Sequence, residues 1–268
     1  MSALKAASYA IQRFVLRREY LTAQSSVLGL KFRVKTRDVV GRHIYKYGRH
    51  EPAMTGFLLN GLEVGAGDVL IDIGANIGWY SLILDRLAKR HGADVISFEP
   101  DPVNFELLQH NLALNGARHT DAVPLALSDA AGTATLHLFS DSNRGRHSIL
   151  PINSGETVDI PTARLDDYWR ERDFGDRVPR LIKVDIEGYE LIALRGAAEV
   201  LRRCPLLILE YSPGYMRRGG LEPTELLDLV AGHGFTPFRF ADGGLAPADL
   251  AGLKRSDRQQ DIVWRKDV

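Results

Sequence analysis

The chain has a single cysteine, Cys204, in 268 residues, which excludes an internal disulfide and a cysteine-built zinc cluster. No apolar run approaches the roughly 20 residues that span a bilayer as a helix. Neither sign of charge is in excess: 34 basic residues balance 34 acidic ones, which argues against a whole-protein electrostatic grip on nucleic acid. Internal repeats and low-complexity segments are also missing. What is present is an ordinary globular composition, 45% hydrophobic and 25% charged, with enough chain for a substantial α/β core.

Residues 1–18 carry Lys5, Arg13, Arg17 and Arg18 with no acid before Glu19. No compact apolar segment with a cleavage site follows them, so a secretory signal is not expected and the location reads as cytoplasmic. Leu4, Ala7, Ile11 and Phe14 fall on one helical face, which predicts a helix docked on the domain or on a partner subunit. Attachment to an anionic membrane surface is the sharper alternative, for which that face is small. Residues 1–67 read as an extension packed on the core, strand-like over Leu30–Val40, and a homodimer contact is most easily placed there.

Residues 68–268 alternate short apolar runs with amphipathic stretches. DVLIDIG, ADVISFEP, AVPLALSD, LIKVDIEG and PLLILEYSP read as buried strands, because continuous apolar runs are what parallel strands covered on both faces require. GWYSLILDRLAKRHG reads as a helix closed by Gly92, and DPVNFELLQHNLALNG as one opened by Asp101 and Pro102 and ended at Gly116. FTPFRF and QDIVWRK are late strands that pair as an antiparallel edge, with a loop between them. An insertion at about 130–180, containing the alternating run GTATLHLF, is placed to shape a substrate pocket. The prediction is a doubly wound α/β sheet.

In such a sheet, ligands bind beyond the carboxyl ends of the strands, near the switch point. The first strand ends in Asp72, followed by the loop Ile73, Gly74, Ala75, Asn76, Ile77, Gly78 and a helix. Glu99 ends the second strand, 21 residues past Gly78, where an acid can accept from both hydroxyls of a ribose. The dinucleotide fingerprint is broken, however: Asn76 and Trp79 stand where its second and third glycines belong. A ligand without a pyrophosphate makes neither demand, so the reading goes to S-adenosyl-L-methionine over NAD, with Asp72 toward its cationic end.

The blocks VLIDIGANIGWYSL, ISFEPDPVNFELLQHNLALNG, PLALSDAAG, LDDYW, LIKVDIEGYELIALRGAAEVL and LILEYSP, preceded by GRHEP at Gly48–Pro52, resemble the FkbM family of S-adenosylmethionine-dependent methyltransferases. The resemblance runs from about Gly48 to Pro213. It implies a class I methyltransferase fold: a Rossmann-like seven-stranded sheet with helices on both faces and the last strand antiparallel. It also implies that Gly74, Ala75, Asn76 and Gly78 lie under the methionine part of the cofactor, and that Glu99 and Asn104 hold the ribose. Ser128 and Asp129 would border the adenine, and Asp185 would face the sulfonium. The implied activity is O-methyl transfer to a hydroxyl of a sugar, glycan or natural product.

A hydroxyl is a poor nucleophile while protonated, so a base within hydrogen-bond reach is expected. Asp185, His147 and Glu210 are the candidates. Asp185, Glu187 and Glu190 put three carboxylates in six residues, and oxygen ligands suit magnesium or calcium, but no metal site is assigned. Tyr168, Trp169, Arg144, Arg146, Tyr211, Tyr215, Arg217 and Arg218 are candidate walls for a small-molecule or glycan acceptor. The fourth strand is followed by DIEG rather than an amino-methyltransferase tetrapeptide, which disfavours nucleobase acceptors. The rival readings are a nucleotide-dependent Rossmann oxidoreductase and a non-catalytic S-adenosylmethionine-binding regulatory module.

Overall fold

A computed structural model describes residues 3–26, 28–139, 147–151, 155–241 and 244–266. The N-terminal layer holds α1 (Ala3–Ala10), continued by a wider turn over Ile11–Val15, then the hairpin β1 (Tyr20–Gln24) and β2 (Lys31–Lys35). It closes with α2 (Val39–Tyr47) and α3 (Pro52–Gly61). Next come β3 (Val69–Ile73), α4 (Trp79–His91), β4 (Asp94–Phe98), α5 (Pro102–Leu114) and β5 (Thr120–Val123). A small subdomain follows, with β6 (Ala126–Leu127), β7 (Gly132–His137), β8 (Thr157–Ala163) and α6 (Leu165–Glu171). The chain then returns through β9 (Pro179–Val184), α7 (Glu190–Arg195), α8 (Ala198–Arg203), β10 (Leu206–Tyr211), α9 (Pro213–Arg218) and α10 (Pro223–Gly232). It ends with β11 (Thr236–Ala241), β12 (Gly244–Pro247), α11 (Leu250–Arg255) and β13 (Gln260–Arg265).

The main sheet has the order β12-β11-β13-β10-β9-β3-β4-β5. β10, β9, β3, β4 and β5 run parallel, while β13 lies antiparallel between β10 and β11. Chain progression reverses between β3 and β9, which fixes the switch point and the place for a ligand. β3 is buried at all five positions, as its uninterrupted apolar run demands. One apolar cluster lies on the α4/α5 side with the N-terminal layer, and a second on the side of α7, α8 and α10.

Caps explain why the elements stop where they do. Asp101 accepts from Val103 N at the start of α5, with Pro102 in the first turn. Gly92, at φ 72, closes α4 by donating its N–H to Ala88 O.

Four expectations are corrected. The sheet has eight strands, because Gly244–Pro247 forms an edge hairpin with β11; four residues that include a Gly and a Pro carry no legible alternation. AVPLALSD is not one strand. Pro124, which lacks an N–H, separates β5 in the main sheet from β6, which pairs with β8 in a three-stranded sheet with β7. The strand expected over Leu30–Val40 ends at Lys35, and Asp38 caps α2 by accepting from Gly41 N. Finally, the N-terminal helix docks through Tyr9, which is buried and donates to Thr36 O, whereas Ala7, Ile11 and Phe14 face outward.

The extension is joined to the core through Trp79, whose ring stacks on Phe32 at 5.3 Å and whose Nε1 donates to Thr55 Oγ1 at 3.1 Å. The residue that broke the dinucleotide fingerprint is therefore the packing partner of the N-terminal layer.

Candidate functional site

A cavity of about 330 Å³ opens at the carboxyl ends of β3, β4, β9 and β10. One end is bounded by Phe98, Glu99, Pro100, Asn104 and the segment Leu125–Leu127; the other by Lys183, Asp185, Glu187, Glu210, Tyr80 and Glu51. The loop Gly74–Ile77 runs between them.

At the first end the main chain fixes the geometry. Glu99 Oε2 accepts from Asn76 N at 2.7 Å and Oε1 from Asp101 N at 3.0 Å. Asn76 adopts φ 51 and Gly74 φ 80, the left-handed conformations that turn the loop amide toward that carboxylate. A carboxylate offers about four acceptor sites, so each Glu99 oxygen retains one lone pair for a diol. Burial, reinforced by the charge of Asp101 and opposed by the two amides, raises the Glu99 pKa to about 8. A ribose fits this arrangement on the chemistry of the donor set: two neighbouring hydroxyls for two open acceptor positions, beside the apolar slot of Leu125–Leu127.

The second end is built from side chains. Lys183, buried in β9, lies 3.4 Å from Asp185 Oδ2 and 3.7 Å from Asp72 Oδ1, with its Nζ 5.0 Å from the centre of the Tyr80 ring. Burial works against its charge, but Asp185, Asp72 and Glu51 outweigh that and raise its pKa, so it remains an ammonium. Tyr80 Oη donates to Glu51 Oε2, and His50 Nε2 lies 3.4 Å from Glu51 Oε1. Asp185, Glu187 and Glu210 each present a carboxylate oxygen within 4.8 Å of one another. Glu210 accepts from Gln259 at 2.8 Å and from Ser212 at 3.0 Å. Burial and then the charges of Asp185, Glu187 and Glu190 drive its pKa upward. Asp261, its antiparallel neighbour, is raised to about 7, first by burial and then by Glu51 and Asp185. Such a cluster suits a cation, or a proton passed between carboxylates.

The two ends are joined at the backbone. A Cβ at Gly74 would sit 2.0 Å from the carbonyl oxygen of Asp185, and Asp185 N donates to Ile73 O at 3.1 Å.

The structure brings Gly74, Ala75, Asn76, Glu99, Asn104, His147, Asp185 and Glu210 to one cavity. Other candidates lie elsewhere. Asp72 is fully buried behind the wall, where it accepts from Ser81 Oγ and flanks Lys183. Gly78 starts α4 against Leu108. Ser128 and Asp129 lie beyond the lining: Ser128 Oγ is 3.0 Å from Tyr189 Oη, and Leu125–Leu127 occupy the wall instead.

His147 lines the cavity, but Nδ1 accepts from Phe139 N at 2.8 Å and Nε2 lies 3.0 Å from Asp101 Oδ2. These two contacts tie the insertion to the start of α5. Glu190 turns into its own helix start, accepting from Ile186 N and Gly188 N; Glu210 replaces it in the acidic group. Tyr168, Trp169, Tyr211, Tyr215, Arg217 and Arg218 are not among the cavity residues, and Arg144 and Arg146 lie outside the described residues.

The sequence reading missed Lys183, Tyr80, His50, Glu51, Gln259 and Asp261. A signal existed for the first. Lys183 interrupts a central apolar strand two residues before Asp185, and β3–β9 alignment places it beside Asp72.

A central parallel sheet with an antiparallel β13 inserted before β11, and a carboxylate at the end of β4 beside a glycine loop, define the class I methyltransferase fold. Residues 72–237 match the methyltransferase FkbM domain model, and the chain belongs to the FkbM methyltransferase family. It is 30% identical over 212 residues to 31-O-demethyl-FK506 methyltransferase FkbM of Streptomyces tacrolimicus, covering 67% of this chain and 77% of that one. It is 34% identical over 158 residues to methyltransferase sdnD of Sordaria araneosa (48% and 60%). It is 26% identical over 171 residues to the hexuronic acid methyltransferase AglP of Haloferax volcanii (63% and 64%). The matches thus span less than two thirds of the length of the last two proteins. Among solved structures, the FkbM methyltransferase of Methylobacillus flagellatus superposes with a TM-score of 0.47 at 23% identity, over 77% of this chain and 45% of that one.

Proposed function

We propose that the cavity binds S-adenosyl-L-methionine and that the protein transfers the methyl group to a hydroxyl oxygen of a small-molecule or glycan acceptor. The observation that carries this reading is Glu99: a buried carboxylate held by two backbone amides, with one open acceptor position per oxygen, at the switch point of the sheet. The family supports it, and the names of two relatives, a 31-O-demethyl-FK506 methyltransferase and a hexuronic acid methyltransferase, suit hydroxyl-bearing acceptors. When bound, the cofactor supplies an electrophilic methyl group on a sulfonium.

This chain's own residues would do the rest. Glu99 and Asn104 hold the ribose, the Leu125–Leu127 slot takes the base, and the loop Gly74–Asn76 supports the methionine part. Asp185 and Glu187, beside the Glu210 carboxyl, give the far end the negative character a sulfonium needs. Asp185, partly open to the cavity and steadied by Lys183, is placed to accept the proton of the acceptor hydroxyl. Glu210, held by Gln259 and Ser212, presents its carboxyl within 4.8 Å of that of Asp185 and keeps the acidic pair together. In-line alignment between the two ends supplies much of the rate.

Calorimetric titration with S-adenosylhomocysteine, with NAD as the parallel control, tests the reading. Micromolar binding of the former alone is expected. Binding of NAD instead would restore the oxidoreductase, and binding without turnover across hydroxylated acceptors would leave a regulatory module.

A further inference from the structure

Overall neutrality conceals a sharp separation of charge. Of the 34 basic residues, eleven lie in residues 1–50, against only two of the 34 acidic ones, Glu19 and Asp38. That segment carries +9, and the remaining 218 residues carry −9. None of the eleven is buried, whereas Asp38 is buried as the cap of α2.

Exposed apolar side chains gather in the same segment. Ile11, Phe14, Val15 and Leu16 are 51%, 66%, 71% and 53% exposed. With Val39 and Tyr47 they make six of the seven large exposed hydrophobic residues among the described ones. The first four alternate with Arg13, Arg17 and Arg18 along one turn and its exit. Apolar side chains left in water forgo the gain of burial, and a layer that hides Tyr9 while displaying Phe14 and Val15 has a face that the described residues leave uncovered.

We propose that residues 1–50 form a docking face for an anionic membrane surface. Arginines interleaved with aliphatic and aromatic side chains fit an interface in which phosphate headgroups take the charge and the acyl boundary takes the apolar atoms. A nucleic acid would engage the charges and leave Ile11, Val15 and Leu16 wet. A second copy of the same face would bring +9 against +9. The docking face is also tied to the cavity. α1 packs on α2 through Tyr9 and Ser8 against Tyr45, and α2 delivers Val39 and Val40 to the cavity wall. One nine-residue helix, about 14 Å long, therefore separates the docking face from the place where an acceptor enters.

Co-sedimentation of the full chain with vesicles of 30% phosphatidylglycerol in phosphatidylcholine, against pure phosphatidylcholine, tests this. Binding at least tenfold tighter to the anionic vesicles, weakening with salt, is expected. Arg17→Glu with Arg18→Glu should lower that affinity by about tenfold or more. Phe14→Ser with Val15→Ser should lower it severalfold while leaving its salt dependence in place. Both double variants alter exposed side chains, so unchanged thermal melting and unchanged S-adenosylhomocysteine affinity should accompany the loss; that titration also separates failure here from failure of the cofactor reading. Equal binding to both vesicle types, or none at low salt, overturns the proposal. So does tighter binding to a duplex or single-stranded oligonucleotide, and so does sedimentation showing a dimer that Phe14→Ser with Val15→Ser dissolves.

Discussion

The two ends of the cavity are made in different ways. At the Glu99 end, one carboxylate is held by main-chain amides of residues 76 and 101, all within one β-α-β passage of the chain. At the Asp185 end, polar and charged side chains arrive from residues 50–51, 80, 183–187, 210 and 259, and they hold one another. Main chain is rigid and indifferent to residue identity, so the first end is robust and general. The second depends on every member, so its changes should be larger and should spread.

The largest effect is expected at Lys183. Lys183→Met would leave Asp72 and Asp185 without their shared cation, and losing one partner of a buried ion pair costs about 3–5 kcal/mol. Urea unfolding should show that loss, and Asp72→Asn in the same chain should recover part of it. Wild-type stability in the single variant would mean that the two ends do not differ in kind. Next, Asp185→Asn should lower turnover at least a hundredfold, within the range for general-base catalysis, with S-adenosylhomocysteine affinity within about threefold of wild type. If affinity fell as far as turnover, the two ends would be one site.

Glu99→Ala should do the reverse, weakening S-adenosylhomocysteine binding by about tenfold or more while unfolding at nearly the same urea concentration. The smallest effect is a pH dependence. Glu99 is raised to about 8 in the ligand-free protein, whereas a ribose diol donates best to the ionised form. Affinity should therefore climb between pH 6 and 8 and flatten above, and Glu99→Gln should remove the slope. Stability of the ligand-free protein should move the other way. A carboxyl whose folded pKa lies above its unfolded value favours folding while protonated, so its contribution is lost as pH rises through about 8. A flat binding profile would place the diol elsewhere.

The same contrast explains what was legible in the sequence. The place of Glu99 at the cavity was legible from spacing alone because strand, turn and helix lengths fix the main chain around it. The parallel strands were legible from their unbroken apolar runs. The β5–β6 break turned on Pro124, which sat inside an otherwise convincing strand. Lys183 passed unnoticed because its four-carbon stem packs like an apolar residue, and one of its two partners, Asp72, comes from a neighbouring strand. Asp72 was placed on the cavity as the end of a strand, but β3 continues through Ile73 and leaves Asp72 inside the sheet, against Ser81 and Lys183. Tyr80, Glu51 and Asp261 are joined only by tertiary packing, which no local pattern records. The outward face of Ile11 and Phe14 inverted a helical-face argument, since one buried tyrosine was enough to seat the helix.

The contact between Gly74 and the carbonyl of Asp185 has a consequence for how such a protein can change. Any side chain at Gly74 would strike that oxygen, so the spacing from the loop under the proposed cofactor to the proposed base is written into two touching backbones. Selection for a new acceptor cannot easily alter that spacing. It is left to act on the surrounding segments that line the cavity, the turn into α3, the insertion and the start of β13. On this reading, diversification is confined to the rim by the geometry at the centre.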